Sequence, residues 1–152
     1  MNLFALGLPA AVPGRRIVAA STATLFVYLV VLCLDLAGVG GANAVAAGVA
    51  LAWFALALAV WVAAFARAVV RSAAGDDIAV ASLFFLQGSA PAAVRLRLLG
   101  LAAVALGLTI ITMGVNPTGF LVNMLPIGFA GLWGARHGVY PERRDPRYTT
   151  RL

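Results

Sequence analysis

Four polar side chains interrupt or border the long apolar runs of this 152-residue sequence. Polar groups within membrane segments usually face a cavity or a partner, where they can contact an ion or a solute. The pattern is compatible with a polar cavity in the outer half of a membrane, formed by Tyr28, Asp35, Asn116 and Asn123. Pairing between helices is the competing interpretation, and we favour it because intramembrane Ser, Thr and Asn side chains mostly bond neighbouring carbonyls or helices.

A second group of side chains combines arginines with two adjacent aspartates. Arginine pairs bidentately with phosphate and with carboxylate, so this group could bind an anionic lipid headgroup or form ion pairs within the protein. We favour ion pairs, together with a role of the arginines in setting membrane orientation. The residues are Arg67, Arg71, Asp76, Asp77, Arg95 and Arg97.

The sequence contains no residue arrangement that is typical of an enzyme. It has no nucleophile elbow, P-loop, HExxH or CxxC motif, and Cys33 and His137 are its only cysteine and histidine. Neither residue has a second ligand at the spacing that a metal site needs. We therefore predict no catalytic residues, no metal and no cofactor.

The composition is that of a membrane protein. Hydrophobic residues make up 63% of the chain and charged residues 11%, whereas an ordinary soluble domain is about half apolar and a quarter charged. The mean hydropathy is +1.01. All 11 basic residues are arginines, against 5 acidic residues, and the net charge is +6. Because these arginines flank apolar runs and form no soluble basic patch, we expect contact with lipid and none with nucleic acid.

Four apolar stretches have the length that crosses a hydrocarbon core of about 30 Å, which takes about 20 helical residues. They cover about 17–36, 44–66, 94–113 and 119–135, within a single transmembrane domain over 17–138. Pro126 predicts a kink in the fourth span, because it has no N–H to donate to the carbonyl of Val122. Residues 1–16 are predicted to form a cytoplasmic N-terminal segment, and residues 139–152 a basic cytoplasmic tail.

Residues 77–87, between the second and third spans, form an apolar segment that is too short to cross a membrane, since ten helical residues measure about 15 Å. Asp76 or Asp77 suits its N-cap. Its large apolar side chains, Phe84 and Phe85 among them, predict burial against lipid or protein. The predicted fold is therefore an all-α membrane protein, a four-helix transmembrane bundle with one short apolar interfacial helix.

The arginines all precede span one, separate spans two and three, or follow span four. Because arginine-rich short loops stay in the cytoplasm, we predict a multi-pass protein with both termini cytoplasmic. Arginine without lysine, with much alanine and glycine, is typical of a GC-rich bacterial genome and predicts a bacterial plasma membrane. One alternative stays open, that the first span is a cleavable signal peptide. Its features would be Arg15 and Arg16, the apolar run after them and the small residues Ala42-Asn43-Ala44, although this apolar run is longer than the usual signal-peptide core of about 7 to 15 residues.

Two segments carry a resemblance to a known group of proteins. Residues 76–91 (DDIAVASLFFLQGSAP) and 131–138 (GLWGARHG) resemble small uncharacterised integral membrane proteins of actinobacteria. The resemblance covers about 76–138, and it implies a bacterial plasma-membrane location without implying an activity.

These features favour a non-enzymatic integral membrane protein that acts through helix packing, in a homo-oligomer or a larger membrane complex. The alternative is a small transporter or channel subunit with a polar outer-leaflet cavity. The expected partners are the lipid bilayer, its anionic headgroups, and a second copy or another membrane protein. Small residues at four-residue spacing let helices approach closely, and they occur at Ala55/Ala59/Ala63, Ala103/Gly107 and Ala130/Gly134/Gly138.

Overall fold

The computed structural model describes residues 13–143, and this part of the chain is an all-α bundle without a β-strand. The predicted fold class is thereby confirmed. The predicted segment 1–16 is described only from Pro13, and the predicted tail 139–152 only as far as Arg143. The elements are α1 (Arg15–Leu36), α2 (Ala42–Ala73), α3 (Val80–Phe84), α4 (Ala92–Thr112), a 3-10 helix (Pro117–Asn123) and α5 (Met124–His137).

Four helical stretches are long and apolar enough to cross a membrane: α1, α2, α4, and the 3-10 helix together with α5. The chain is therefore a multi-pass membrane protein. The stretches match the predicted spans to within a few residues, except that α2 continues from the predicted end at residue 66 to Ala73. Its 32 residues measure about 48 Å, more than the hydrocarbon core of about 30 Å. The last turns of α2 therefore carry Arg67 and Arg71 beyond the apolar part of the bundle.

The described arginines lie at one end of the bundle, where the starts of α1 and α4 and the ends of α2 and α5 meet. Hydrogen bonds join the end of α5 and the chain after it to each of the other three: Trp133 Nε1 to Pro13 O, Arg71 Nη1 to Gly138 O, and Val139 N to Ser89 O. We refer to this end as the arginine end. The loops at 37–41 and 113–116 lie at the opposite end.

The fourth span occupies the centre of the bundle. In its most apolar stretch 67% of the residues are buried, against 22% in α2 and 22% in α4. Three glycines make this burial possible, because neighbouring groups lie where a Cβ would be. Gly128 faces Trp61, Gly131 faces the ring of Phe84, and Gly134 faces the backbone carbonyl of Leu83. Gly134 belongs to the small-residue series predicted from the sequence, whereas Ala55, Ala59 and Ala63 are exposed on the outside of α2.

Three tryptophan indoles join the elements by hydrogen bonds to backbone carbonyls. An indole N–H in an apolar interior needs an acceptor. In each case the carbonyl that accepts lies outside the helix that carries the tryptophan. The bonds are Trp53 Nε1 to Thr24 O (2.9 Å), Trp61 Nε1 to Met124 O (2.9 Å) and Trp133 Nε1 to Pro13 O (3.1 Å). They connect α2 to α1, α2 to α5, and α5 to Pro13, two residues before α1.

The short helix α3 is shorter than predicted, and its N-cap is Ala79, not Asp76 or Asp77. The reason is that the chain after α5 returns and pairs with the start of this segment. The Asp77 N–H donates to the Pro141 carbonyl (2.8 Å), and the Arg143 N–H donates to the Gly75 carbonyl (2.7 Å). The backbone around Asp76 is thereby extended and cannot begin a helix.

Leu86 ends this segment in a left-handed conformation, with φ of 55°. For a non-glycine residue that conformation costs on the order of 1–2 kcal/mol of free energy. Leu86 is fully buried in a cluster with Val94, Leu98 and Trp133, and this burial offsets the backbone cost.

Pro126, which was predicted to kink the fourth span, lies in the first turn of α5, a position where proline is tolerated. The change of helix geometry occurs just before it, where the 3-10 helix passes into α5 at Met124.

Candidate functional sites at the two ends of the bundle

A buried polar cluster lies towards the opposite end, where α1 and α4 pack against the 3-10 helix. Its centre is Gly119, which has no side chain to exclude the Tyr28 hydroxyl; a Cβ there would overlap the hydroxyl oxygen. Tyr28 is 1% exposed, and its hydroxyl has no hydrogen-bond partner within residues 13–143. The phenol therefore brings an unpaired donor into the interior of the protein.

Asn123 reaches the same region from the end of the 3-10 helix. Its Nδ2 donates to the Thr109 hydroxyl oxygen on α4 (3.1 Å). The Thr109 hydroxyl in turn donates to the Ala105 carbonyl (2.9 Å), and the Gly119 carbonyl lies 3.3 Å away. Thr109 and Asn123 thus join α4 to the fourth span, and the Asn123 Oδ1 has no partner in the described chain.

Asn116 caps the 3-10 helix. Its Oδ1 accepts from the Gly119 N–H (3.2 Å) and from the Thr118 hydroxyl (2.7 Å), while its buried Nδ2 is unpaired. The cluster therefore holds two unused donor groups and one unused acceptor, on Tyr28, Asn116 and Asn123. Such a set can bind a water molecule or a small polar solute by hydrogen bonds.

Asp35 does not join this cluster. It lies near the end of α1, half-buried, and its Oδ2 accepts a long hydrogen bond from Asn43 Nδ2 (3.4 Å) at the exposed surface. The structure thus brings together three of the four predicted cavity residues and places the carboxylate elsewhere.

We expect Asp35→Asn to leave the stability of the protein nearly unchanged, within about 0.5 kcal/mol, as is usual for surface changes. An asparagine can still accept from Asn43, and the carboxylate that it replaces is accessible to water. Thermal unfolding of the purified protein in detergent measures the effect. A clear loss of stability would show that the Asp35 charge has a buried partner.

At the arginine end, Arg71 is the centre of a compact set of contacts. Its Nε pairs with Asp76 Oδ2 at 2.6 Å, and its Nη1 donates to the Gly138 carbonyl at 2.9 Å. The Ala135 carbonyl lies 3.4 Å from Nη1, and the guanidinium carbon stacks 4.8 Å from the centre of the Tyr140 ring. We call these five residues the Arg71 clasp, because they join the end of α2, the loop after it and the chain that leaves α5.

Tyr140 is buried in this clasp, and burial raises the pKa of its phenol, against the opposing effects of Ser89 and the Arg71 charge. Burial disfavours the phenolate, so the ring stays neutral beneath the guanidinium at neutral pH. The face of a neutral aromatic ring attracts a cation.

The structure separates the other members of the predicted arginine and aspartate group. Asp77 is joined to the chain after α5 through its backbone. Arg95 and Arg97 lie on the first turns of α4. Arg67 lines a notch between α2 and α5 together with Ala63, Arg136 and His137. The sequence argument did not assign Arg136 or Thr109 to any site.

Comparison with known proteins gives no match to a protein-family model, to a curated protein or to a solved structure.

Proposed function

We propose that this protein is a non-enzymatic component of a bacterial plasma membrane that acts by packing against another transmembrane helix, from a second copy or a different membrane protein. The observation that carries this proposal is a groove of about 260 Å³ between α4, α5 and α3. It is almost entirely apolar except for one amide. Its walls are formed by Phe84, Phe85, Leu99, Ala102, Ala103, Leu106, Asn123 and Ile127.

Two properties of the groove suit a helix as its occupant. Ala102 and Ala103 are small, and small residues let the backbones of two membrane helices approach closely. Leu106 and Phe85 are exposed at the groove, to 47% and 52%. A helix packed there would remove these two large apolar side chains from the exposed surface of the bundle.

Less of the apolar segment around α3 is available to a partner than the sequence pattern suggested. Leu83 and Phe84 are each 3% exposed, covered by α5 and α2, whereas Phe85 is 52% exposed at the groove. The protein's own bundle therefore covers Leu83 and Phe84, and Phe85 is the large apolar side chain of this segment that is exposed at the groove.

Orientation and location belong to the same proposal. The arginine end lies in the cytoplasm by the rule for arginine-rich loops, and the resemblance to actinobacterial membrane proteins supports a bacterial plasma membrane. Retention of α1 is supported by its contribution to the core, where Val18, Tyr28 and Leu32 are buried. The Ala42-Asn43-Ala44 sequence begins α2 in this structure.

Photo-crosslinking in native membranes tests the proposed partner surface. A crosslinking amino acid at Leu106, in the groove, should form a protein adduct, whereas one at Val62, which is 68% exposed on α2, should not. An adduct of twice the mass identifies a second copy, and another mass identifies a different membrane protein. Equal labelling at both positions, or labelling of lipid alone at Leu106, would refute the proposal.

A pair of charge substitutions provides the matched control for this experiment. Phe85→Asp should abolish the Leu106 adduct, and Phe120→Asp should not, although Phe120 is similarly exposed at 56%. Phe84→Asp should instead lower accumulation of the protein, because the Phe84 ring stacks on Trp61 with centroids 4.4 Å apart. Reporter fusions after Gly41, Ser72 and Thr118 check that topology is unchanged.

A second candidate function, a small transporter or channel subunit, is favoured by the three unpaired polar groups around Gly119. Proteoliposome uptake of protons or monovalent cations that is lost in Tyr28→Phe or Asp35→Asn would make this function the leading one. The helix-packing proposal predicts no such uptake.

A further inference from the structure

The notch between α2 and α5 at the arginine end has the composition of an anion site. It has a volume of about 340 Å³ and is lined by Ala63, Arg67, Arg136 and His137. Arg67 and Arg136 are exposed, and neither guanidinium has a hydrogen bond or an ion pair within residues 13–143. Two cationic side chains from different helices therefore face one space without an internal counter-charge.

Within the described part of the chain, no acidic side chain near the notch neutralises these two positive charges. No acidic residue lines it, and the nearby Asp76 is already paired with Arg71. The described chain places eight arginines at the arginine end, against Asp76, Asp77 and Glu142. A negative charge that binds in the notch therefore comes from outside residues 13–143.

His137 is held in place on the α5 side of the notch. Its ring lies 5.7 Å from the Trp133 ring, centroid to centroid. Gly14, with φ of 73°, packs against both rings, and a Cβ at Gly14 would overlap them. The imidazole is thus fixed beside the two arginines and can donate a hydrogen bond to an anion in the notch.

An apolar track leads from the notch into the membrane. Ala55, Ala59 and Ala63 are all exposed and precede Arg67 at intervals of four residues, which places them on one face of α2. From Ala55 to Arg67 the helix rises about 18 Å, which is close to half of the hydrocarbon core at about 15 Å. Small side chains along this face leave room for one extended chain beside the helix.

We propose that this site binds an anionic phospholipid of the leaflet at the arginine end. The lipid phosphate lies in the notch between Arg67, Arg136 and His137, and one acyl chain lies along Ala63, Ala59 and Ala55. Guanidinium groups bind phosphate oxygens through paired, charge-assisted hydrogen bonds. The membrane position of the notch brings a phosphodiester and its acyl chain to it together, and a free phosphate would leave the alanine face uncovered.

Native mass spectrometry of the purified protein in detergent tests this site, with phosphatidylglycerol and phosphatidylcholine of equal chain length as probes. The parent protein should retain phosphatidylglycerol preferentially. A hydrogen bond to a charged group contributes about tenfold to binding, so Arg67→Gln combined with Arg136→Gln, which removes both guanidinium groups of the notch, should weaken phosphatidylglycerol binding by at least about tenfold. Arg16→Gln with Arg95→Gln removes the same charge at the same end and should weaken binding clearly less, because both guanidinium groups that bind the phosphate remain.

Two further measurements distinguish a lipid site from a general charge effect or a phosphate site. Ala59→Phe should weaken phosphatidylglycerol binding several-fold, because the ring occupies the acyl track, and it should leave thermal stability unchanged. Glycerol 3-phosphate at the same concentration should not displace the lipid. Equal losses in the two double variants would show that the charge of this end alone retains lipid. Displacement of the lipid by glycerol 3-phosphate, or normal lipid binding in Ala59→Phe, would show that the notch binds phosphate and that the alanine face binds no acyl chain. Each of these results would overturn the proposal.

Discussion

Replacing Arg71 by glutamine is expected to lower the free energy of unfolding by about 1.5 to 3 kcal/mol, the range for losing a hydrogen bond to a charged group. The side chain is only 25% exposed, and so is little screened by solvent. The variant would lose the pair with Asp76, the bond to the Gly138 carbonyl and the contact with Tyr140. Those three losses separate the end of α2 from the chain that follows α5.

Thermal unfolding in a zwitterionic detergent, with limited proteolysis of residues 138–143, measures this effect. Arg67→Gln is the matched control, because Arg67 lies one turn earlier on α2, is exposed and has no hydrogen bond or ion pair among residues 13–143. It should unfold like the parent protein under these conditions. If the two variants have the same stability, the Arg71 clasp contributes nothing to holding the chain after α5.

The second large effect is expected for Gly134→Ala. The added Cβ would lie 2.5 Å from the backbone carbonyl oxygen of Leu83, and that oxygen cannot rotate away as a side chain could. Overpacking of this kind costs about 1 to 3 kcal/mol. We expect α3 to separate from α5, with lower thermal stability and greater accessibility of Phe84.

Gly107→Ala provides the same substitution on α4, where nothing lies within 4 Å of the added Cβ. Alanine is favoured over glycine in a helix by about 1 kcal/mol, so this variant should be as stable as the parent or more stable. Fluorescence-monitored unfolding of both variants gives the comparison. A Gly134→Ala protein as stable as the parent would mean that α3 is not packed against α5 as described.

The span pattern could be predicted from the sequence because lipid imposes a simple requirement of length and hydrophobicity. Arg15, Arg16 and Arg136 border the predicted spans closely enough to locate the ends of α1 and α5. The extension of α2 was missed because helix formation continues after the apolar run, and a hydropathy pattern does not register polar turns. The shortened α3 was missed because its cause is distant in sequence: Pro141 and Arg143 bind the backbone of Asp77 and Gly75.

For the polar residues as well, the sequence predicts that a side chain needs a partner but does not identify a partner that is distant in sequence. The need of Asn123 for a partner follows from the cost of an unsatisfied amide. Its partner, Thr109, lies on another helix, and a threonine in a membrane helix ordinarily bonds its own backbone, which Thr109 also does. The closeness of Tyr28 to Gly119 depends on the packing of α1 against the 3-10 helix. No periodicity in either segment indicates that contact.

The central position of the fourth span also constrains how the protein is assembled during synthesis. This span is the least apolar of the four; Asn116 directly precedes it, and it contains Asn123 and Pro126. A segment of this kind partitions weakly from the translocation channel into lipid on its own. The helices that bury it, α1, α2 and α4, precede it along the chain, so they are in place when it leaves the channel. Insertion of the fourth span is therefore a docking step onto an existing surface, and changes at Gly128 or Gly131 should cause translation products to be degraded before a mature bundle exists.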